Sequence, residues 1–243
     1  MLNFATPIDA VLFGAEIIAC ISYATSGTIK ALRKKADLLG VWILTLIEVF
    51  GGGLLRDLIL NKCAPHIFWD PEYLWLAALS VLISTVCFIL ACLPKTARYL
   101  EDHRHAFWIY ALDAIGISVF SVAGAKTAFY SLPEGIGIVE TYIFCTCLGV
   151  ITGVGGGMFR DVFVGEIPSV FKKHFYMMPC IIGTFVYVVF LINNWGDPYG
   201  IVGVALSCAV IITLRILATL FQWNLPRAKA FNTVMEEESK NKN

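Results

Sequence analysis

Two short segments carry the residues best suited to chemistry. Residues 51–57 read Gly-Gly-Gly-Leu-Leu-Arg-Asp, and residues 155–161 read Gly-Gly-Gly-Met-Phe-Arg-Asp. Each glycine weakens a helix by about 1 kcal/mol against alanine. A triplet also lets backbone or ions approach closely. A break at Gly51, Gly52 and Gly53, and again at Gly155, Gly156 and Gly157, frees carbonyls on one half-helix and N–H groups on the next. Asp57 and Asp161 then fall in the first turn after each break, where a carboxylate suits the positive helix end. Arg56 and Arg160 stand beside them. The competing use is close helix packing, and the ladder Gly149, Gly153, Gly157 supports it for the second copy. Neither triplet is a nucleotide loop. Met158 stands where a dinucleotide fingerprint needs glycine, and no Gly-Lys-Ser/Thr follows.

The elements that hold these segments are set by composition. Of 243 residues, 58% are hydrophobic and 15% charged, with 18 Lys+Arg against 18 Asp+Glu. Soluble domains carry about 25% charge, and a membrane helix needs about 20 mostly apolar residues. The chain therefore reads as an all-α, polytopic membrane protein. Seven transmembrane helices are expected near 10–29, 38–61, 73–93, 106–128, 136–163, 176–195 and 199–223. A polar tail, 224–243, follows. Zero net charge argues against nucleic acid, which needs a basic field. Residues 1–9 hold no Lys or Arg ahead of the apolar run, so no cleaved leader is expected. Fourteen Lys/Arg fall on the side of the loop at 30–37 and three on the other. That asymmetry predicts an external N-terminus and a cytoplasmic C-terminus in the cell membrane.

The two Gly-Gly-Gly-x-x-Arg-Asp segments each lie in the second span of a three-span group. The match resumes at Pro65-x-x-Phe68 and Pro168-x-x-Phe171. Three is odd, so consecutive copies enter the membrane from opposite sides. The expected layout is two inverted three-helix repeats, 1–95 and 96–197, then a seventh helix at 198–223 and a cytoplasmic tail at 224–243. Sites in such architectures form near the midplane, where broken helices meet. Two copies of Arg-Asp at membrane depth favour function over packing, because intramembrane charge is expensive.

These doubled motifs, with Leu112-Asp113-Ala114-Ile115-Gly116 opening span four and the seven-span layout, resemble the TRIC family of trimeric intracellular cation channels. The resemblance is to the prokaryotic type, also catalogued as the glycine transporter domain, and covers roughly residues 10–220. It implies a homotrimer with one ion pathway inside each protomer, lined by the second and fifth helices. The permeant ions would be monovalent cations, chiefly K⁺, with Na⁺ as the other candidate. It places Gly51–Gly53 and Gly155–Gly157 at the family's two breaks and Lys126 near its gate. Ile47-Glu48-Val49 keeps the acid of the animal channels' Lys-Glu-Val motif and lacks the lysine.

Other polar residues at span depth fit a pathway. Glu16, Glu48, Asp57, Asp113, Glu140 and Asp161 outnumber Arg56, Lys126, Arg160 and Arg215, which favours cations. Each arginine needs neutralising: Asp113 is the candidate for one, and Glu16 or Glu48 for the other. Ser22, Thr25, Ser26, Ser118, Ser121 and Thr152 offer a hydrated route. Trp69, Tyr73, Trp75, Trp108, Trp195 and Trp223 read as interface anchors. His66, His103, His105 and His174 form no three-ligand set, and seven of the eight cysteines lie in apolar runs. No cofactor, metal or catalytic site is expected. A secondary transporter of a small solute such as glycine is the main alternative, since inverted repeats with broken helices also describe transporters. A membrane scaffold explains the hydrophobicity but not the duplicated charges.

Overall fold

The computed structural model describes residues 7–62, 64–93, 106–133, 135–172, 176–193 and 199–221. Seven long helices account for most of them: α1 (Pro7–Arg33), α2 (Leu38–Ile59), α3 (Pro71–Ala91), α4 (Ala106–Tyr130), α5 (Ile138–Phe163), α6 (Met178–Ile192) and α7 (Tyr199–Leu220). Six are long and apolar enough to cross a membrane, and α6, at 15 residues, is a shorter apolar helix. Pro179 sits in the first turn of α6, where its missing N–H costs nothing. The expected span at 176–195 is therefore helical only from Met178 to Ile192 among its described residues.

Local chemistry sets the other ends. The Asp37 carboxylate accepts from Gly40 N at 2.8 Å to open α2, and Asp70 accepts from Glu72 N at 3.0 Å to open α3. The C-termini of α2 and α5 close alike. Lys62 N donates to Asp57 O at 3.0 Å, and Glu166 N donates to Asp161 O at 2.9 Å. Asn61 and Gly165 take the left-handed conformation that each ending needs, with φ 53° and 73°. A short 3₁₀ turn, His66–Phe68, follows the first, and a helical turn, Ser169–Lys172, follows the second.

Helices α1–α3 pack together, as do α4–α6; α2 against α5 and α1 against α4 join the two groups, and α7 lies on α4 and α6. Two apolar clusters fill the bundle, one around Tyr23, Phe50, Ile117 and Ile211, the other around Leu148, Tyr187 and Val204. Leu39, Trp75, Leu82, Ile143 and Val202 face outward and suit lipid contact.

The glycine triplets do not break their helices. Both α2 and α5 run helical through them. The reason is that the two backbones meet there. A Cβ added to Gly52 would fall inside the Thr152 carbonyl oxygen, and one on Gly156 inside the Glu48 carbonyl oxygen. A Cβ on Gly155 would lie 3.1 Å from the Gly52 Cα, and one on Gly51 3.3 Å from the Gly156 Cα. Close approach of this kind drives association where lipid is as apolar as the side chains. Asp57 and Asp161 consequently stand in the last turns of intact helices, not in the first turns of new ones. It is Arg56 and Arg160 that suit the negative ends there.

Gly52→Ala and Gly156→Ala should therefore each lower the melting temperature in detergent, since overpacking typically costs about 1–3 kcal/mol. Gly14 has open space around its Cβ position, and Gly14→Ala should leave melting unchanged or slightly raised. Unaltered melting of both crossing variants would contradict the backbone contact.

Candidate ion pathway

The third glycine of each triplet faces an arginine. Gly53 lies beside Arg56 Nη2, and Gly157 beside Arg160 Nη2 and Tyr176 Oη. Each guanidinium folds onto the next residue: Arg56 Nε donates to Asp57 Oδ1 at 2.8 Å, and Arg160 Nε to Asp161 Oδ1 at 3.0 Å. Both pairs are buried.

Beyond that common pattern the two sites differ. Arg160 Nη1 pairs with Glu48 Oε1 on α2 and lies 3.4 Å from Ser26 Oγ. Ser26 Oγ also donates to Glu48 Oε1 at 3.2 Å. Glu48 is fully buried, and its Oε2 has no hydrogen-bond partner among the described residues. Asp161 further receives Lys30 Nζ, and its Oδ2 accepts from Ser169 N at 2.8 Å. Lys30 and Lys34 also reach Glu166, at 3.4 and 2.6 Å. The hydrogen bond from Lys34 holds the Glu166 carboxyl below its ordinary range. Arg56, by contrast, finds Asp57 and the Tyr73 hydroxyl.

The expected partners for the arginines are thus rearranged. Asp113 belongs to Arg215 of α7, whose Nη2 lies 2.5 Å from Oδ2. The Tyr176 hydroxyl donates to the same oxygen at 2.6 Å, and the guanidinium of Arg215 stacks 3.8 Å over the Tyr176 ring. Arg160 reaches across the crossing to Glu48 on α2. Lys126 pairs with Asp9. The Thr152 hydroxyl is spent on Leu148 O at 2.7 Å, and Thr25 and Ser118 likewise bond their own helices. Glu140 is exposed in the first turn of α5, outside the interior. Tyr73 is no interface anchor, because it turns inward to Arg56. Tyr73, Tyr176 and Arg215 are the residues the sequence reading undervalued. The signal was present: each tyrosine stands five residues beyond the phenylalanine of its Pro-x-x-Phe.

Two cavities enter the bundle from opposite ends of α1. One, of about 310 Å³, is lined by Ser26, Lys30, Asp113, Arg160 and Tyr176 among others. The other, of about 550 Å³, is lined by Asp9, Glu16, Lys62, Asp70, Glu72, Tyr73 and Lys126 among others. A smaller void of about 20 Å³, bordered by Glu16, Gly53, Arg56, Tyr73 and Thr152, continues the second inward. Between the two along α1 stands Tyr23, whose hydroxyl donates to Gly153 O at 2.6 Å. No group of three metal-ligating side chains occurs among the described residues. Cys63, Lys95, Arg98, His103, Arg104, His105, His174, Trp195, Trp223 and the tail 224–243 lie outside the described residues, as does the His66 side chain.

An all-helical, multi-pass membrane protein with paired charges and two opposed cavities in its interior is the class this geometry defines. A family model described as Glycine transporter matches residues 13–90 and 110–191. A UPF0126 membrane protein of Vibrio cholerae is 31% identical over 224 residues, covering 90% of this chain and 83% of that one. A solved TRIC cation-channel structure is 30% identical, with a TM-score of 0.72 over 88% of this chain and 95% of its own. A prokaryotic TRIC channel solved in 0.5 M KCl is 29% identical, with a TM-score of 0.72 over 89% and 99%. The chain belongs to the prokaryotic TRIC family, the same family that carries the glycine transporter description.

The Asp113–Arg215 pair generates a test. Removing one partner of a buried pair costs about 3–5 kcal/mol, whereas replacing both by apolar residues is often neutral. Arg215→Leu alone should lower melting strongly, and Arg215→Leu with Asp113→Leu should recover most of the loss. A single variant that melts like the unaltered protein would show that the pair does not hold α7 to α4.

Proposed function

We propose that the protein is a K⁺-permeable channel for monovalent cations, with one pathway inside each protomer of a homotrimer. The observation that carries this reading is the pair of cavities entering from opposite ends of α1 and converging on the α2–α5 crossing. The solved TRIC relatives, described as cation channels, support it. Gly51, Gly52, Gly53, Gly155, Gly156 and Gly157 shape the pathway, with Thr152 and Lys126 along it, and Glu48, fully buried, acts on it only through Arg160. Arg56, Asp57, Asp113, Arg160 and Asp161 are structural charges that keep bare arginines from repelling the ion.

The architecture in this reading is two inverted three-helix repeats, 1–95 and 96–197, followed by the seventh helix at 198–223 and the tail at 224–243. Matching contacts support it: Gly52 against Thr152 O mirrors Gly156 against Glu48 O, and the ends of α2 and α5 close alike. In this reading the protein sits in the cell membrane with its N-terminus outside and its C-terminus in the cytoplasm, an orientation the Lys/Arg asymmetry supports. A membrane-impermeant thiol reagent should then label a variant whose only cysteine is Cys63 in intact cells. Labelling only after lysis would reverse the orientation.

A secondary transporter of a small solute such as glycine is the second reading. It is favoured by the closure between the two cavities at Tyr23 and Gly153, which suits alternating access, and by the family's description. Recording in planar bilayers separates the two. The channel reading expects discrete unitary K⁺ currents that need no solute. Saturable, ion-coupled glycine uptake without unitary currents would replace it.

A further inference from the structure

The two halves place equivalent residues in different electrostatic company. Glu48 and Thr152 correspond, 104 residues apart, each four residues before a crossing glycine. Gly27 of α1 packs on Glu48, and Gly124 of α4 packs on Thr152, so α1 and α4 correspond at a separation of 97 residues. The same separation takes Tyr23 to Phe120, whose rings lie 5.4 Å apart, and Glu16 to Asp113. Tyr73 and Tyr176 complete the correspondence.

Asp113 is neutralised by Arg215 and bonded by Tyr176. Arg215 sits on α7, which belongs to neither group of three, so the first half has no counterpart to it. Glu16 lies beside Tyr73 where the 550 Å³ cavity narrows into the 20 Å³ void, and it lines both. No hydrogen bond or ion pair reaches its carboxylate among the described residues. Arg56, whose charge reaches Glu16, is held by Asp57 and Tyr73, and Lys62, in the same cavity, faces Asp57. Asp9, two turns or about 10 Å nearer the mouth, is taken by Lys126. Asp70 is engaged in capping α3.

We infer that Glu16, the one half's uncompensated counterpart of Asp113, is the carboxylate that meets the permeant cation at the neck of the outer cavity and sets the preference for cations over anions. An ion leaving water for a narrow, low-dielectric neck needs a fixed opposite charge. An acid at membrane depth is expensive unless it meets a partner or a wet cavity, and the partner here is the ion. Glu48, the other acid of α1–α2 at this depth, is fully buried, lines neither cavity and serves Arg160 instead.

This assignment rests on the channel reading, and the test separates the two. Reversal potentials are measured in a KCl gradient across planar bilayers for the unaltered protein, Glu16→Gln and Glu16→Asp. Glu16→Gln should lower unitary K⁺ current several-fold and shift the reversal potential toward that of chloride, and Glu16→Asp should retain most of the cation preference. Should Glu16→Gln fail to assemble, Glu16→Cys treated with an anionic methanethiosulfonate should regain preference that a neutral reagent does not restore, with the unaltered protein under the same reagents as control. A folded Glu16→Gln with the original K⁺/Cl⁻ permeability ratio, or a Glu16→Cys indifferent to the charge added, overturns the assignment alone. Unaltered protein that passes no unitary current removes the channel reading and this assignment with it.

Discussion

Everything in the interior depends on two helix backbones touching. At Gly52 and Gly156 the space that any side chain would fill is already occupied by the carbonyl of the opposite helix. In a soluble protein the same surfaces would be drawn together by apolar burial. Within lipid that drive is weak, and close packing with interhelical hydrogen bonds takes its place. The loss of helix propensity at three glycines, about 1 kcal/mol each, is offset only if the approach is this close.

The close crossing then dictates the charge arrangement. With α2 and α5 in backbone contact, an arginine one turn beyond each triplet is carried into the bundle rather than to lipid. Arg160 meets Glu48 across the crossing, whereas Arg56 meets Asp57 and Tyr73 among the described residues, because Thr152 stands where the other half has an acid. A buried charge left unpaired is strongly destabilising, so the sequence supplies further partners: Lys30 for Asp161 and Arg215 for Asp113. The seventh helix thereby has an electrostatic task as well as a packing one. In the proposed pathway these pairs line the route without presenting a bare positive charge to the ion.

Helix number and placement were legible because hydropathy in a membrane chain is nearly a direct readout of span. The doubled motif was legible as a repeat of letters. Its meaning was not, because a glycine triplet satisfies both a helix break and a helix crossing, and only the identity of the facing atom decides between them. The small-residue ladder at Gly149, Gly153 and Gly157 pointed to close packing, and Gly149 and Gly153 do pack closely, though on Ser121 and its neighbours in α4 rather than on α2. The pairing of charges was illegible for another reason. Adjacent letters reveal Arg56–Asp57, but Asp113 with Arg215 joins residues 102 positions apart through a helix outside the repeat. No local pattern encodes that contact.

The central claim is that cations travel inside each protomer, past the α2–α5 crossing. Anomalous diffraction from crystals grown with Rb⁺ in place of K⁺ tests it most directly. The account predicts Rb⁺ peaks within each protomer, in the cavities on either side of the crossing and aligned with α1. Peaks confined to the axis between protomers, with both cavities free of Rb⁺, would contradict it.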